Sequence, residues 1–193
     1  MLRMRIRMLR VLLTILLGFA PARGVLALVP SDTFYAHQWY LEKIGAPAAW
    51  DVTIGNPSAV VAVIDVGVDL DHPDLQDALW TNPGETPGNS LDDDRNGFID
   101  DVHGWDFVAN DPDPSPSYDV AGSDPRDLHH GTLVAGIIDA RGNNGEGIAG
   151  IDWLAKIMPL RVLRSDGSGD VENVLPAIRY AVDEGATIIN LSF

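Results

Sequence analysis

The stretch AVVAVID, residues 59–65, decides the fold class of this sequence. Its first six residues are all apolar and rich in β-branched side chains, and the seventh is an aspartate. A continuous apolar run of this length is typical of a strand that is buried on both faces of a parallel sheet. The sequence therefore predicts a central strand with a carboxylate, Asp65, at its carboxyl end.

The segments that follow alternate between predicted helices and predicted strands. Residues 131–138 are apolar on all sides, which predicts a buried helix. KIMPLRVL at 156–163 and ATIINLSF at 186–193 predict two more buried strands, and the apolar spacing of residues 171–184 predicts a helix with Asp170 as its N-cap. This alternation indicates an α/β fold, a mainly parallel sheet flanked by helices, which we expect to be incomplete at its C-terminus.

The N-terminus has the three parts of a secretory signal: arginines, an apolar run and small residues. We expect residues 1–27 to be a signal peptide, with cleavage after Ala22 or Ala27, and residues 28–193 to form one partial domain. That domain begins with a loop-like segment up to residue 58. The predicted localisation is secreted, with no membrane partner after cleavage. The chain has no cysteine, so its stability outside the cell depends on its core or on bound metal.

The charge balance excludes some classes of partner. The chain has 28 acidic and 13 basic residues, a formal net charge of -15 at pH 7. Binding to nucleic acid or to an anionic membrane needs a basic face, so neither is expected as a partner. Most of the acidic side chains are expected to form a solvated surface, although a cluster of them can also hold a metal ion.

Asp65 and His130 together suggest an acid–base pair. A carboxylate at the end of a buried strand is poorly solvated and needs a partner, and an imidazole N–H supplies one. His130 stands at the start of the predicted buried helix, where it is held firmly enough to act as a general base. Taken alone, each residue is more often structural, so the two residues by themselves leave both interpretations open.

The motifs around these two residues resemble those of the subtilisin-like serine peptidases, the subtilases. VIDVGVDLDHPDL around Asp65 is similar to the aspartate motif of that family, and HGTLVAGI from His130 is similar to its histidine motif. The similarity continues, in the order of the family, through WTNPGE, DDDRNGFIDDVHGWDF, KIMPLRVL, DGSG and INLSF. It covers nearly the whole chain from about residue 36 onward.

The resemblance implies a subtilisin-like fold and an endopeptidase that hydrolyses polypeptides through an Asp–His–Ser triad. It makes Asp65 the orienting carboxylate and His130 the base, with His129 as an exposed neighbour. It also implies substrate-binding backbone at Gly167, Ser168 and Gly169, which pairs with an extended peptide as an added strand, and at Ser192 in the strand beside the peptide. An ordinary glycine-rich turn is the alternative interpretation of residues 167–169.

The nucleophile of the family is not found in this sequence. It lies in a GTSMA-like motif, and an oxyanion donor lies in an AAGN-like segment; the chain contains neither. The nine serines, at positions 31, 58, 90, 115, 117, 123, 165, 168 and 192, have no such context. We therefore expect this chain to hold the aspartate and the histidine only, and to form no acyl-enzyme by itself.

DDDRNGFID, residues 92–100, predicts a calcium loop. It has the spacing D-x-D-x-N-G, in which oxygen ligands alternate around a glycine that permits a tight turn. The predicted ligands are Asp92, Asp94, Asn96, the carbonyl of Phe98 and Asp100, and Asp101 is a substitute for the glutamate that ends an EF-hand loop. The loop lacks the glutamate that ends an EF-hand, and a solvated acidic turn is the alternative. The family resemblance adds Asp74 and Asn144 as ligands of another calcium site.

Two other functions compete with the peptidase. The first is a non-catalytic, secreted calcium-binding module, which would fold stably without further sequence. The exposed apolar surface expected beside the last strand argues against it. The second is an aspartic peptidase built on VIDVGVD. That chemistry needs two carboxylates that share a proton, within antiparallel sheets, and fits a chain of alternating helices and strands poorly.

Overall fold

The structure is a computed structural model that describes residues 28–193. The predicted signal peptide, residues 1–27, lies outside the described residues. In chain order the elements are α1 (Trp39–Ile44), α2 (Ala46–Trp50), β1 (Val60–Asp65), β2 (Trp105–Asp106), α3 (Pro125–Leu128), α4 (His130–Asp139), β3 (Lys156–Arg161), α5 (Val171–Asp183) and β4 (Ile188–Leu191).

The four strands form one sheet in the order β2-β3-β1-β4, and every pairing in it is parallel. Strand β1 is central, because its Ile64 pairs with Leu160 of β3 on one side and with Leu191 of β4 on the other. The carboxyl ends of parallel strands lie at the same edge of a sheet, so Asp65 lies at that edge, beside Arg161. The predicted α/β fold with a mainly parallel sheet is confirmed.

Helices cover both faces of the central strand. Ile64 packs in a buried cluster with Tyr180 of α5 on one face, and Val63 packs in a second cluster with Ala135 of α4 on the other. Successive side chains of a strand point to opposite faces. A strand that is covered on both faces must therefore be apolar throughout, which explains the unbroken apolar run before Asp65.

The segment up to residue 58, predicted as a loop, contains the two short helices α1 and α2. Gly45, in the left-handed conformation at φ 77°, ends α1, and Pro47 lies in the first turn of α2. The two helices form a small separate core, in which the ring centroids of Trp50 and Trp153 are 4.7 Å apart. Helices of only six and five residues are too short to show an apolar period, so the prediction was wrong here.

Strand β4 is present as predicted, but the prediction that it is buried is wrong. It is the outermost strand on one side of the sheet, and its Ile188 is 54% exposed. Within residues 28–193, only β1 pairs with it. Other large apolar side chains exposed on β4, after it or on α5 are Val171, Leu175, Val182, Leu191 and Phe193. Apolar character predicted the strand correctly but not how much of it is covered.

The helix predicted over residues 171–184 is confirmed: α5 begins at Val171 and ends at Asp183, one residue earlier than predicted. Asp170 stands at its N-cap position, but its side chain makes no capping hydrogen bond, and Arg164 Nη2 donates to its carboxylate at 3.4 Å. The predicted N-cap residue is therefore confirmed, without the side-chain hydrogen bond that usually accompanies it. At thirteen residues α5 is short, and no helix in residues 28–193 is long and apolar enough to cross a membrane.

Candidate active site

Strand β1 and helix α4 bring Asp65 and His130 together. The strand ends at Asp65, and α4 begins at His130 and packs against the face of the sheet. Gly131 permits the close approach: a Cβ there would lie 2.2 Å from the carbonyl oxygen of Gly67 and 3.0 Å from the Cβ of Asp65. Only a residue without a side chain allows the helix to start so close to the end of the strand.

The Asp65–His130 pair is a buried carboxylate against a half-exposed imidazole. Nδ1 of His130 lies 2.9 Å from each carboxylate oxygen of Asp65, and the N–H of Val66 donates to Oδ1 at 2.8 Å. Asp65 is fully buried, whereas the His130 side chain is 44% exposed. The carboxylate thus holds Nδ1, and Nε2 makes no hydrogen bond within residues 28–193. Nε2 is free to take a proton from a group outside this pair.

No serine hydroxyl bonds to His130 in the part of the chain that the structure describes, which includes all nine serines. Several are engaged elsewhere. The hydroxyls of Ser123 and Ser165 bond to each other at 2.8 Å, that of Ser168 donates to Asp166, and that of Ser192 donates to Asn190. None of these contacts gives a serine the base that a nucleophilic hydroxyl requires.

A groove of about 460 Å³ lies beside the start of α4. Its walls are mostly apolar and come from α3, α4 and the segment after β1, with the lining residues Asp69, His72, Pro125, Arg126, His129, Thr132 and Leu133. His129 faces this groove and is exposed, so the two adjacent histidines occupy different environments.

The predicted substrate-binding glycines lie in an exposed turn, residues 164–169. The turn follows β3 directly, where the N–H of Leu163 donates to the carbonyl of Asp65 at 3.2 Å. Gly169 pairs with Leu163 across the turn, and Gly167 has the left-handed φ of 77° that the turn requires. The Ser168 N–H and hydroxyl both donate to Asp166. The turn therefore lies at the same sheet edge as Asp65, on the β3 side.

Ser192 lies at that edge on the opposite side of β1. It follows Leu191, which pairs with Ile64, the residue before Asp65. Its side chain is exposed. The structure therefore places the two predicted substrate-binding segments, residues 167–169 and Ser192, on either side of Asp65.

The acidic loop, residues 82–101, contains a group of three carboxylates whose ligand oxygens lie within 4.8 Å of one another: Glu85, Asp92 and Asp94. Two of them were predicted as ligands, and Glu85 was missed because it lies outside the D-x-D-x-N-G spacing. Gly97, at φ 99°, makes the predicted turn. Three convergent carboxylates form an oxygen donor set that fits calcium.

The side chains of Asn96 and Asp100, also predicted as ligands, accept hydrogen bonds from the loop backbone, as the three carboxylates do. The Asn96 amide oxygen accepts from the N–H of Phe98 at 2.8 Å, and Asp100 accepts from the N–H groups of Asn89 and Ser90. The ring of Phe98 packs 4.9 Å from that of Tyr180. Asp100 is not in the group of convergent carboxylates, and the ligand roles predicted for Asn96 and for the Phe98 carbonyl stay predictions.

Asp101 is fully buried and joins the acidic loop to helix α5. Its carboxylate accepts from Tyr180 Oη at 2.5 Å, from Asn82 Nδ2 at 3.1 Å and from Asn96 Nδ2 at 3.0 Å. Burial and this hydrogen bond both raise the pKa of Tyr180, which therefore remains a neutral donor. Asp101 acts as a structural anchor for the loop.

A second carboxylate site lies around Asp74 and Asn144, with Asp32 as a member that sequence reasoning missed. Asn144 Nδ2 donates to Asp74 Oδ1 at 2.7 Å, and the N–H of Asn143 donates to Asp32 Oδ2 at 2.6 Å. Asp32 Oδ1 is buried without a hydrogen-bond partner in the described residues. Burial raises the pKa of Asp32, and the nearby charge of Asp74 raises it further. An orphaned buried oxygen beside a second carboxylate fits a calcium ion.

Comparisons with known proteins identify a similar family, similar sequences and a similar structure. Residues 56–193 match the model of the subtilase family, Peptidase_S8. The chain is 38% identical over 168 residues to the thermophilic serine proteinase of Bacillus sp. strain AK1, and 37% identical over 162 residues to halolysin of Haloferax mediterranei. A solved protease structure from Pseudoalteromonas arctica PAMC 21717 superposes with a TM-score of 0.65 at 28% identity.

The matched region is only part of each of these proteins. It includes 86% of this chain but 34% of the Bacillus proteinase, and 84% of this chain but 26% of halolysin. The superposition with the Pseudoalteromonas structure covers 86% of this chain and 51% of that one. The chain therefore spans about a quarter to a half of the length of the proteins it matches.

Proposed function

Because the chain belongs to the subtilase family, we propose that Asp65 and His130 are two members of the Asp–His–Ser triad of an endopeptidase that acts on polypeptides. The observation that carries this proposal is the contact of His130 Nδ1 with the buried Asp65 carboxylate at 2.9 Å. A carboxylate in this position fixes the tautomer of the ring and stabilises its protonated form.

In the proposed reaction each residue has a separate task. Asp65 orients the ring through Nδ1. Nε2 of His130 takes the proton of a serine hydroxyl as that oxygen attacks the peptide carbonyl, and then donates the proton to the leaving amine. The turn at residues 164–169 and the segment at Ser192 bind the extended peptide on either side through their backbone groups.

We also propose that the nucleophile is none of the nine serines of this chain. The support is that none of them has the GTSMA-like context and none bonds to His130 in residues 28–193. The 193-residue chain is expected to remain unlabelled by a fluorophosphonate probe that reacts with activated serines. Labelling at any serine would overturn this part of the proposal.

A chimaera tests the catalytic pair directly. Residues 56–193 replace the matching segment of the Bacillus sp. strain AK1 serine proteinase, which supplies the remainder of the protein. The chimaera is expected to hydrolyse a peptide substrate. His130→Ala is expected to lower kcat by about 10³-fold or more, because the serine then has no base.

His129→Ala is the matched control, since His129 adjoins the base and faces the groove instead. It is expected to retain most of the activity. A folded chimaera that hydrolyses nothing, or one in which His130→Ala changes nothing, would contradict the proposal. In that case calcium binding by the chain would favour the non-catalytic module.

Calcium is the cofactor that we propose for both carboxylate sites. Glu85, Asp92 and Asp94 would hold one ion, and Asp32, Asp74 and Asn144 would hold another; a bound ion neutralises carboxylates that otherwise repel each other. A ligand that binds only the folded state stabilises it, by about 2.7 kcal/mol at a hundredfold excess over Kd. Calcium is expected to raise the unfolding temperature of the chain, and a chelator to reverse this.

Single substitutions assign the calcium effect to a site. Asp32→Asn is expected to remove the part of the calcium-induced rise in unfolding temperature that comes from the second site. Asp92→Asn is expected to remove the part that comes from the acidic loop. Asp113→Asn is the control, because the Asp113 carboxylate is exposed and, within residues 28–193, accepts only from the N–H of Ser115. An unfolding temperature that calcium does not change would contradict the proposal.

We propose that the protein is exported, on the basis of its N-terminal sequence. Residues 1–27 combine arginines, an apolar run and small residues. N-terminal sequencing of the protein recovered from the medium of expressing cells is expected to begin at Arg23 or Leu28. Retention of Met1 on a cell-associated product would contradict export by cleavage.

A further inference from the structure

The turn at residues 164–169 has one buried residue. Ser165 is 1% exposed, whereas residue 164 and residues 166–169 are exposed. Two hydrogen bonds inside the turn define its shape. The Arg164 N–H donates to the Ser168 carbonyl at 2.8 Å, and the Gly167 N–H donates to the Arg164 carbonyl at 2.9 Å. They do not fix its position on the protein. Leu163, which pairs with Gly169 and donates to the Asp65 carbonyl, fixes the base of the turn, and the contacts of Ser165 fix the rest.

Ser165 is held by the loop between β2 and α3. Its N–H donates to Asp119 Oδ1 at 2.8 Å, and its hydroxyl accepts from the N–H of Val120 at 3.0 Å and bonds to the hydroxyl of Ser123 at 2.8 Å. The same loop reaches the segment after Asp65, where the N–H of Val68 donates to the carbonyl of Pro114 at 3.1 Å. The loop therefore connects the turn to the segment that follows β1.

Asp119 is in turn held by Arg161, at the end of β3. The Arg161 guanidinium is 2% exposed; Nη1 donates to Asp106 on β2 at 2.5 Å and Nη2 donates to Asp119. Burial opposes ionisation of Asp119, but the hydrogen bonds from Ser165 and the charge of Arg161 lower its pKa below the ordinary value. Asp119 is therefore a charged acceptor, and its hydrogen bonds are of the stronger, charge-assisted kind.

We propose that Asp119 is a positioning residue for peptide binding: held by Arg161, it fixes Ser165 and thereby places the turn at residues 164–169 beside Asp65. The proposal rests on the proposed function in that the turn is taken to bind substrate backbone. Asp119 itself touches neither the substrate nor His130. An added strand needs donors and acceptors at fixed spacing, so a displaced turn loses affinity for the peptide while the rest of the sheet remains intact.

The test compares Asp119→Asn with wild type in the full 193-residue chain, by hydrogen exchange of the backbone amides and by binding of a fluorescein-labelled, end-capped alanine decapeptide. Loss of the ion pair is expected to speed exchange in residues 164–169 by about tenfold, with β1 and β3 unchanged. The affinity for the peptide is expected to fall by about tenfold. Asp113→Asn is expected to behave as wild type, because in the described residues the Asp113 carboxylate accepts from Ser115 of the same loop and makes no hydrogen bond to the turn.

The outcomes separate this proposal from the proposed function. If wild type and Asp119→Asn bind the peptide equally, the positioning role is wrong and peptide binding stands. If wild type binds no peptide, both are wrong. Faster exchange throughout the sheet would show Asp119 to be merely structural. Should Asp119→Asn not fold, Ser123→Ala removes a hydroxyl that bonds to Ser165 and to the Val120 carbonyl, and it is expected to give a smaller change in the same turn.

Discussion

A buried carboxylate lies at each end of helix α4, and the two carboxylates differ in their hydrogen-bond partners. Asp65, at the first turn, has the ring of His130 at 2.9 Å and the N–H of Val66 at 2.8 Å. Asp139, the last residue of α4, is equally buried, but Arg141 Nη1 is 3.3 Å away and donates also to the carbonyl of Trp153. The Asp65 carboxylate thus has short contacts with an imidazole and a backbone N–H. The Asp139 carboxylate has a long contact with a guanidinium that also donates to a carbonyl.

The difference shows in the charge that each end can hold. Burial raises the pKa of Asp139 to about 8, against the opposing effect of Arg141 and with a further increase from Asp152. At neutral pH this carboxyl group is therefore largely protonated. Asp65 meets donors from both the backbone and the ring, as the orienting carboxylate of a triad must. Burial alone does not make a carboxylate functional; the donors aimed at it do.

The largest expected effect comes from breaking the Asp65 end. In the chimaera, Asp65→Asn is expected to lower kcat by about 10⁴-fold with little change in KM, because the amide favours the wrong tautomer of His130. Steady-state kinetics on a peptide substrate measure this. Asp71→Asn, an exposed carboxylate on the segment after β1, is the control. A loss below about tenfold would mean that Asp65 does not orient the base.

The Asp139 end is expected to act on stability through pH. Since its folded pKa, about 8, lies above the ordinary 3.8, the folded chain keeps a proton that the unfolded chain releases in this window. The stability due to this group is therefore present below pH 3.8 and is lost as pH rises toward 8. The loss is at most about 1.4 kcal/mol per pH unit.

Asp139→Asn is expected to remove this pH dependence, because asparagine mimics the neutral acid. Denaturant unfolding at several pH values between 4 and 8 measures it. Asp183→Asn is matched to it, as an exposed aspartate at the last position of α5. It is expected to leave the slope of the free energy of unfolding against pH unchanged. If Asp139→Asn also left this slope unchanged, the pH dependence would not come from Asp139.

Two glycines of α4 extend the comparison to packing. Gly131→Ala is expected to destabilise the fold by about 2–3 kcal/mol, because its Cβ would collide with fixed backbone. That Cβ would lie 2.2 Å from the Gly67 carbonyl oxygen. The free energy of unfolding measures the change, and a neutral result would contradict the close packing at this end.

Gly136→Ala, nearer the Asp139 end, is expected to have the smallest effect and the opposite sign. Its Cβ would lie 3.5 Å from Ile148 Cδ1, an ordinary contact. Alanine is the better helix former by up to about 1 kcal/mol, so a small stabilisation is expected in the same unfolding measurement. A loss as large as that of Gly131→Ala would mean that α4 is packed equally tightly at both ends.

The sequence predicts the Asp65 end of α4 well and the Asp139 end not at all. Local signals mark both Asp65, at the end of an apolar run, and His130, at the start of a helix, and parallel topology then brings strand ends and helix starts together. Asp139 and Arg141 carry no such signal, because the burial that shifts the pKa of Asp139 depends on contacts with distant segments. Asp32 escapes prediction for the same reason: its partner Asn143 is 111 residues away.

The most direct test of the account is the tautomer of His130 in the 193-residue chain, measured by ¹⁵N NMR of the imidazole nitrogens. We expect a proton on Nδ1, hydrogen-bonded to Asp65, with Nε2 unprotonated at a pH where the ring is neutral. We also expect Asp65→Asn to shift the population toward the Nε2–H tautomer, while His129 is unaffected. A proton on Nε2 in the unsubstituted chain would contradict the claim that Asp65 fixes His130 as a general base.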